Sequence, residues 1–140
     1  MNHNVKRLSI LVSLMVVVVI CLTLLSPLAR FSRRIANADH IVVAMVHSPV
    51  NLTITGEDIG RISHAVSSAE RETMGDSCRY DVTLTFFKNT NVLGNILTCT
   101  SLFYTDGKKY NDKTGLIAKL AVDPIRQKYT EWEQKQLESK

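Results

Sequence analysis

The sequence predicts an α+β protein in which one membrane-spanning helix precedes a small domain. Residues 8–29 form a run of 22 residues without a charged side chain. As an α-helix such a run rises about 33 Å, enough to cross a hydrocarbon core of about 30 Å. Behind it, residues 79–88 alternate between apolar and polar side chains, which is typical of an antiparallel strand with one wet face. Residues 55–74 instead repeat apolar side chains at helical spacing, so strands and helices both contribute to the domain.

Two other N-terminal signals compete with an uncleaved anchor. A cleaved signal peptide has a shorter apolar region, and the best cleavage match, residues 36–38, lies beyond a basic stretch at 30–34. A lipoprotein signal needs a small residue directly before its cysteine, whereas Cys21 follows two β-branched residues. We therefore prefer an uncleaved anchor, in which Cys21 is a small apolar side chain within the bilayer or a site of palmitoylation.

Basic residues flank the predicted span on both sides, where we expect them to contact anionic lipid head groups. They are Lys6, Arg7, Arg30, Arg33 and Arg34. Because the two sides carry similar positive charge, these residues do not fix the orientation. A short tail before a first hydrophobic helix normally stays in the cytoplasm, and the pair Cys78 and Cys99 suits an oxidising compartment. We therefore expect residues 1–7 to form a short cytoplasmic tail and residues 8–29 to span the cytoplasmic (inner) membrane. A juxtamembrane linker at 30–40 and a periplasmic or other extracytoplasmic domain at 41–140 follow.

The charge of the chain is concentrated around the predicted anchor. The chain has 17 Lys and Arg and 13 Asp and Glu, a net charge of +4. Residues 1–38 hold five of the bases and none of the acids, which leaves 12 bases and 13 acids in residues 39–140, a net charge of −1. Nucleic-acid binding needs a clustered basic surface, so we expect no nucleic-acid partner.

In chain order the domain is predicted as β-α-β-β-β-α-α, an antiparallel sheet with helices packed on one face. The first strand covers residues 40–47, and the helix that follows begins with Thr55 as its cap and closes at residues 74–76. Near the end of the chain, Thr114 caps a short helix. Asp123-Pro124 then separates this short helix from a C-terminal one.

Between these helices the sequence predicts a three-stranded meander. Its strands are residues 79–88, residues 96–104 and a short third strand that begins at Lys109-Tyr110. Lysines on the third strand mark it as a sheet edge. Asp106-Gly107 supplies the positive φ angles of a two-residue hairpin turn, and Gly94-Asn95 indicates a bulge or a wider loop before the second strand.

Cys78 and Cys99 are candidates for a disulfide. The register implied by a turn centred on Thr90 does not place them opposite each other, so a bridge across two strands needs a bulge. A loop of about 20 residues closed in this way stabilises a domain by about 3 kcal/mol in the chain-entropy model. The alternative is two buried thiols.

No motif for catalysis, metal binding or a cofactor is present. The four histidines pair neither with each other nor with a cysteine at the spacing of a metal site. Glu57 and Asp58 are explained as acids in the first turn of a helix, and His64 as a solvated side chain on its polar side. We therefore expect no catalytic residue, no metal and no cofactor.

Four aromatic residues are candidates for contact with a partner, although their periodicity also fits core positions. They are Phe87, Tyr104, Tyr110 and Trp132. Phe86 and Phe87 are consecutive in a strand, so one of them faces away from the main core. Trp132 lies in a terminal helix with few other large apolar residues and can dock on its own domain, on a partner or at the membrane interface.

These features predict a single-pass, non-enzymatic binding protein whose domain outside the cytoplasm recognises a protein partner. Its layout is similar to that of small anchored periplasmic immunity or inhibitor proteins, although no motif carries the likeness. The alternative is an accessory subunit of a cell-envelope complex that is recruited through its spanning helix. A small envelope enzyme is the third interpretation, and it requires an activity that depends on Glu57, Asp58 or His64.

Overall fold

Seven antiparallel strands form one open sheet in the computed structural model, which describes residues 3–75 and 78–139. The strands are β1 His40–Met45, β2 Asn51–Thr55, β3 Glu70–Arg71, β4 Val82–Lys88, β5 Asn91–Thr98, β6 Leu102–Thr105 and β7 Lys108–Asn111. The helices are α1 His3–Leu25, α2 Pro27–Ile35, α3 Glu57–Ser67 and α4 Asp123–Glu138, with a π-helical turn Ala118–Val122 before α4. The spatial order of the strands is β2-β1-β4-β5-β6-β7-β3. The α+β class and the antiparallel sheet are thus confirmed.

The core lies between one face of the sheet and helices α2, α3 and α4. Alternate strand residues point to opposite faces, and the fully buried members all share one of them. On the strands these are Ile41, Val43, Ile54, Val82, Leu84, Phe86, Ile96, Phe103 and Tyr110. The helices contribute Phe31 and Ile35 from α2, Ile59, Ile62 and Val66 from α3, and Ile125 from α4. A single cluster of apolar side chains therefore joins the sheet to three helices.

The predicted helix over residues 8–29 is divided at Ser26. The Ser26 hydroxyl accepts the Ala29 N–H at 3.1 Å, and Pro27 occupies the start of α2. Serine as the cap and proline in the first turn are a helix-start signal. In the described part of the chain, no single helix is both long and apolar enough to cross a membrane. Only α1 and α2 taken together have the length and apolar composition of a span, and this pair is bent by 61°.

Residues 30–40 do not form a linker, because α2 belongs to the domain. Phe31 and Ile35 are buried in the core, and the Phe31 ring meets Phe86 edge-on with 6.4 Å between centroids. The ring also lies on the backbone of Gly94, where an added Cβ would come within 2.6 Å of Phe31 Cε2. The domain therefore begins at Pro27, and not at residue 41.

The predicted first helix of the domain is shorter than expected at both ends. Its cap is Gly56, with φ 70°, and Thr55 instead ends β2, a strand that the sequence interpretation omits. The helix stops at Ser67, because Glu70 and Arg71 join the sheet beside β7. The predicted edge position of the third meander strand is therefore wrong, since β7 has a neighbour on each side.

The meander is confirmed in outline, with one strand divided in two. Residues 96–104 bend after Thr98, so β5 and β6 pair as a hairpin with Leu97 opposite Tyr104. The hairpin at Asp106 and Gly107 is confirmed, with φ 49° and 70°. A register shift opposite Phe86 and Phe87 leaves an irregularity in β5, close to the predicted bulge.

The C-terminal helices form one continuous element. Asp112 is 1% exposed and accepts the N–H groups of Thr114 and Ile117, each at 2.9 Å, so Asp112 rather than Thr114 is the main cap. Pro124 does not end the helix, because the π-helical turn runs directly into α4. A π-turn shifts the hydrogen-bond pattern by one residue and accommodates such a junction.

We predict that deletion of residues 1–25, which keeps the Ser26 cap of α2, leaves the free energy of unfolding of the domain unchanged, whereas deletion of residues 1–38 prevents folding. The longer deletion removes Phe31 and Ile35, and truncating one buried Phe or Ile alone costs about 2–5 kcal/mol. Urea unfolding followed by circular dichroism measures both. A folded domain in the longer deletion would contradict the assignment of α2 to the core.

Candidate binding surface

One face of the sheet carries no helix among the described elements. Four neighbouring strands present residues on the side opposite to Ile41 and Leu84, and this set is called the open face. It consists of His40, Val42 and Ala44 of β1, Asn51, Thr53 and Thr55 of β2, Thr83, Thr85 and Phe87 of β4, and Val92, Asn95 and Leu97 of β5. All of these side chains are half-buried or exposed, and none is buried.

The open face contains no lysine, arginine, aspartate or glutamate. A sheet face left to water normally carries polar and charged side chains. Here threonine, asparagine and apolar residues take their place, and depletion of charge is the compositional mark of the centre of a protein–protein interface. A partner can therefore cover the open face without removing water from an ion.

Phe87 lies on the open face, as its position next to buried Phe86 predicts. Its ring stacks on His40, with 5.1 Å between centroids and 3° between planes. Asp39 holds this pair in place, because one carboxylate oxygen contacts His40 Nδ1 and the other accepts the Asn89 N–H at 2.6 Å. The Asn89 N–H, followed by His40, lowers the pKa of the Asp39 carboxyl below its ordinary value.

The two predicted tyrosines lie in different surroundings. Tyr104 is 38% exposed, borders the open face beside Leu97 and meets Tyr80 edge-on at 4.9 Å between centroids. Tyr110 is only 5% exposed and stacks on Phe103 in the core, where burial raises the pKa of its phenol. Tyr110 is therefore not available to a partner. Its register opposite Phe103 places it on the face of the sheet that carries the core.

Trp132 lies beside the start of β2 and not on the open face. It lines an open groove of about 360 Å³ between α4 and residues 49–51. Two lysines also line the groove, and Lys128 Nζ donates to the Asn51 carbonyl oxygen at 2.7 Å. Glu131 lines the groove as well, so it is a separate feature at the edge of the sheet that combines apolar side chains with two basic groups and one acidic group.

A disulfide joins Cys78 to Cys99. Cys78 lies before β4 and Cys99 lies just beyond β5, in the bend that leads to β6. The bridge therefore ties two connecting segments and does not span two facing strand positions. For this reason it needs no bulge in the pairing of β4 with β5. Cys21 is free and exposed on α1.

The five basic residues of the predicted membrane interface fall on two helices. Lys6 and Arg7 lie on α1, whereas the three arginines lie on α2. The Arg34 guanidinium sits 5.5 Å from the centre of the Phe31 ring, so it also covers a core side chain. Because α2 packs on the sheet, the arginines are surface residues of the domain, and their contact with lipid stays a prediction.

Glu57, Asp58 and His64 are not gathered into one site. Asp58 pairs with Arg61 on the same helix at 3.0 Å, and the Glu57 and His64 side chains are exposed. Over residues 3–75 and 78–139, no group of three or more His, Cys, Asp or Glu side chains is placed to hold a metal ion.

No protein-family model matches the chain, and searches of curated proteins and of solved structures find no match either. What the open face binds therefore has to be inferred from its own chemistry. That chemistry consists of threonine hydroxyls, small apolar side chains and one stacked aromatic pair, with no ionic group.

Sequence reasoning missed the open face because it missed β2. Residues 51–55 alternate polar and apolar side chains, which is the signal of a half-buried strand. The interpretation of Thr55 as a helix cap hides that signal. Once β2 is placed beside β1, the threonines of β2 and β4 fall on one surface.

We predict an acid-dependent role for Asp39 in stability. Its pKa is lower in the folded chain than the ordinary 3.8, so its contribution is fully present above about pH 4 and is lost as pH falls through the folded pKa. Asp39→Asn should therefore destabilise the domain at pH 7, and the difference from wild type should shrink toward pH 2. Urea unfolding across this range measures it, and a constant difference would contradict the assignment.

Proposed function

We propose that this chain is a single-pass membrane-anchored, non-enzymatic binding protein that holds a protein partner on its open face. α1 is the anchor, and the domain from Pro27 onward lies on the extracytoplasmic side of the cytoplasmic membrane. The uncharged open face is the observation that carries this proposal.

The size of the open face suits a modest protein interface. Four strands spaced about 4.8 Å apart, each about five residues long, cover roughly 19 Å by 17 Å, or about 320 Å². This is less than half of the roughly 800 Å² that each partner buries in a standard interface, so the open face by itself supports a weak, reversible contact. The partner surface that fits is flat, uncharged and rich in hydroxyl and apolar groups, with an apolar element against the His40–Phe87 pair.

The anchor role of α1 is supported by its exposed apolar side chains. From Lys6 to Leu22 every described side chain is exposed, and Leu11, Met15 and Val19 are more than half exposed. The core of the domain is complete without them. An apolar surface of this extent is covered by lipid or by another protein. Since α1 alone does not pass as a membrane span, its exposed apolar side chains, and not its length, support the anchor.

The extracytoplasmic location is supported by the disulfide between Cys78 and Cys99. Structural disulfides persist in oxidising compartments and are rare in the reducing cytoplasm. Anchoring beside the site of action raises the effective concentration of the domain toward partners at the same membrane. A weak interface on the open face then suffices.

We predict that Thr85→Lys abolishes partner capture. Thr85 lies in the middle strands of the open face, beside Val42 and Asn95, and a buried unpaired ammonium at an interface costs several kcal/mol, so binding falls by at least a hundredfold. The matched control is Thr130→Lys, on the exposed part of α4. Affinity capture of the tagged full-length protein from solubilised membranes, followed by mass spectrometry, should recover the same partner with wild type and the control.

The competing function, an accessory subunit recruited through α1, gives a different result. In that case Thr85→Lys retains the partner, and removal of residues 1–25, which takes away α1 alone, loses it. If the partner binds the open face, the domain without α1 still binds it, but with a higher dissociation constant. Retention of the partner by Thr85→Lys refutes the open-face proposal.

We also predict that Cys78 becomes accessible from outside the cell after reduction. Intact cells are treated with a membrane-impermeant phosphine and then with an impermeant maleimide. Labelling that requires the phosphine and is lost in Cys78→Ser/Cys99→Ser places the domain outside. Labelling only after cell lysis would place it in the cytoplasm and overturn the orientation.

A further inference from the structure

β2 is an unprotected sheet edge. Natural proteins guard such edges with charged residues, proline, bulges or very short strands. The opposite edge follows that rule, because β3 is two residues long and both of them, Glu70 and Arg71, are charged. β2 has five residues, Asn-Leu-Thr-Ile-Thr, with no charge and no proline. In the described sheet it pairs only with β1.

The residues of β1 that bond to β4 determine which backbone N–H and C=O groups of β2 point toward the free edge. The Val46 N–H donates to the Asp81 carbonyl at 2.8 Å, in register with β4. In an antiparallel sheet successive residues of a central strand bond to opposite neighbours, so Ile41 and Val43 bond to β2. Their partners there are Ile54 and Leu52.

It follows that the backbone groups of Asn51, Thr53 and Thr55 point away from β1, toward the free edge. An independent contact agrees with this phase. Lys128 reaches from α4 to the outward carbonyl oxygen of Asn51 at 2.7 Å. The edge thus offers N–H and C=O groups at the spacing of a strand, and an extended backbone is what fits them.

We propose that β2 pairs with β2 of a second copy of this chain, antiparallel and about a two-fold axis at Thr53. Thr53 then faces Thr53, and Asn51 of each copy faces Thr55 of the other. All three residues present outward backbone groups, so the pairing forms about six hydrogen bonds. In two of these the Asn51 carbonyl oxygen accepts from the other copy as well as from Lys128 of its own chain.

The side chains match under this pairing on both faces of the sheet. On the helix side, Leu52 of one copy faces Ile54 of the other, and Leu52 is only half-buried in the single chain. On the open face, Thr53 faces Thr53, a favourable cross-strand pair. The two β2 strands carry no charged residue, so no like charges oppose each other between them.

Charge complementarity favours a second copy over an unrelated strand. The chain continues beyond Thr55 to Glu57, which is exposed in the first turn of α3. Beyond the other end of β2 lies the groove lined by Lys128, Lys135 and Glu131, in which two positive charges outnumber one negative charge. Antiparallel pairing brings Glu57 of each copy to the lysine-lined groove of the other, so the same ionic contact forms twice.

The register can be tested by cysteine cross-linking of the full-length chain in membranes, with Cys21→Ser as background. Thr53→Cys should form a disulfide between copies, because it lies on the two-fold axis. Thr55→Cys alone should not, since its own counterpart lies about 14 Å away along the strand, beyond disulfide reach. Asn51→Cys alone should likewise fail, but co-expression of Asn51→Cys with Thr55→Cys should yield the cross-linked pair.

A charge exchange tests the ionic contact. Glu57→Lys and Lys135→Glu should each raise the dimer dissociation constant about tenfold at low salt, and the double variant should restore it. Sedimentation equilibrium of the full-length protein in detergent measures this. The dimer does not use the open face, so Thr85→Lys should leave it intact, and failure of the partner proposal can be told apart from failure of the dimer.

Two outcomes overturn the dimer. One is a folded Thr53→Cys protein that gives no cross-link between copies, or gives one only to another protein, which would assign the edge to a foreign strand. The other is a cross-link of Thr55→Cys to itself, which is incompatible with the two-fold axis at Thr53.

Discussion

The contact between the Phe31 ring and the bare backbone of Gly94 determines how the N-terminal segment meets the domain. A Cβ on residue 94 would lie 2.6 Å from Phe31 Cε2, so the approach depends on glycine. α2 is held on the sheet by this contact, and Ile35 is buried one turn later. α1 therefore leaves the domain at Ser26, a point fixed by packing. If α1 lies in a membrane, the packed domain begins within two residues of its end, since α1 ends at Leu25 and α2 begins at Pro27.

The open face exists because the helices that form the core cover only one face of the sheet. Helices α2, α3 and α4 cover the side of the sheet that carries Leu84 and Phe86. The remaining described helix, α1, is exposed from Lys6 to Leu22 and does not cover the other side. Threonine on that side serves two needs. Its β-branched side chain suits a strand, and its hydroxyl is hydrated without a charge. The hydroxyls keep this face hydrated in the isolated domain. A partner that covers the face removes little strongly bound water, because none of these side chains is charged.

Elements with local signals could be predicted from the sequence, and long-range pairings could not. Asp106-Gly107 specifies its hairpin through the positive φ angles of two residues. Glu70 and Arg71, in contrast, become a strand only because β7 is already in place beside them. Ser26-Pro27 is a local signal for the start of a helix. It lies inside an apolar run long enough to span a bilayer, and for that reason the sequence predicts one continuous helix there. The exposure of Phe87 on the second face could be predicted from its position next to Phe86. The extent of the open face could not, because it depends on the pairing register of β2 with β1.

The two sheet edges and the anchor act together in the proposed assembly. Pairing about an axis perpendicular to the sheet does not turn either copy over, so both open faces look the same way and a dimer offers two partner sites side by side. Confinement by α1 to a membrane raises the effective concentration of copies, which favours an edge contact too weak for dilute solution. Growth ends at two copies, because the remaining edge is β3, whose Glu70 and Arg71 are charged and whose length is two residues. The uncharged edge β2 therefore limits assembly to a dimer, because the short, charged edge β3 does not pair with a further copy.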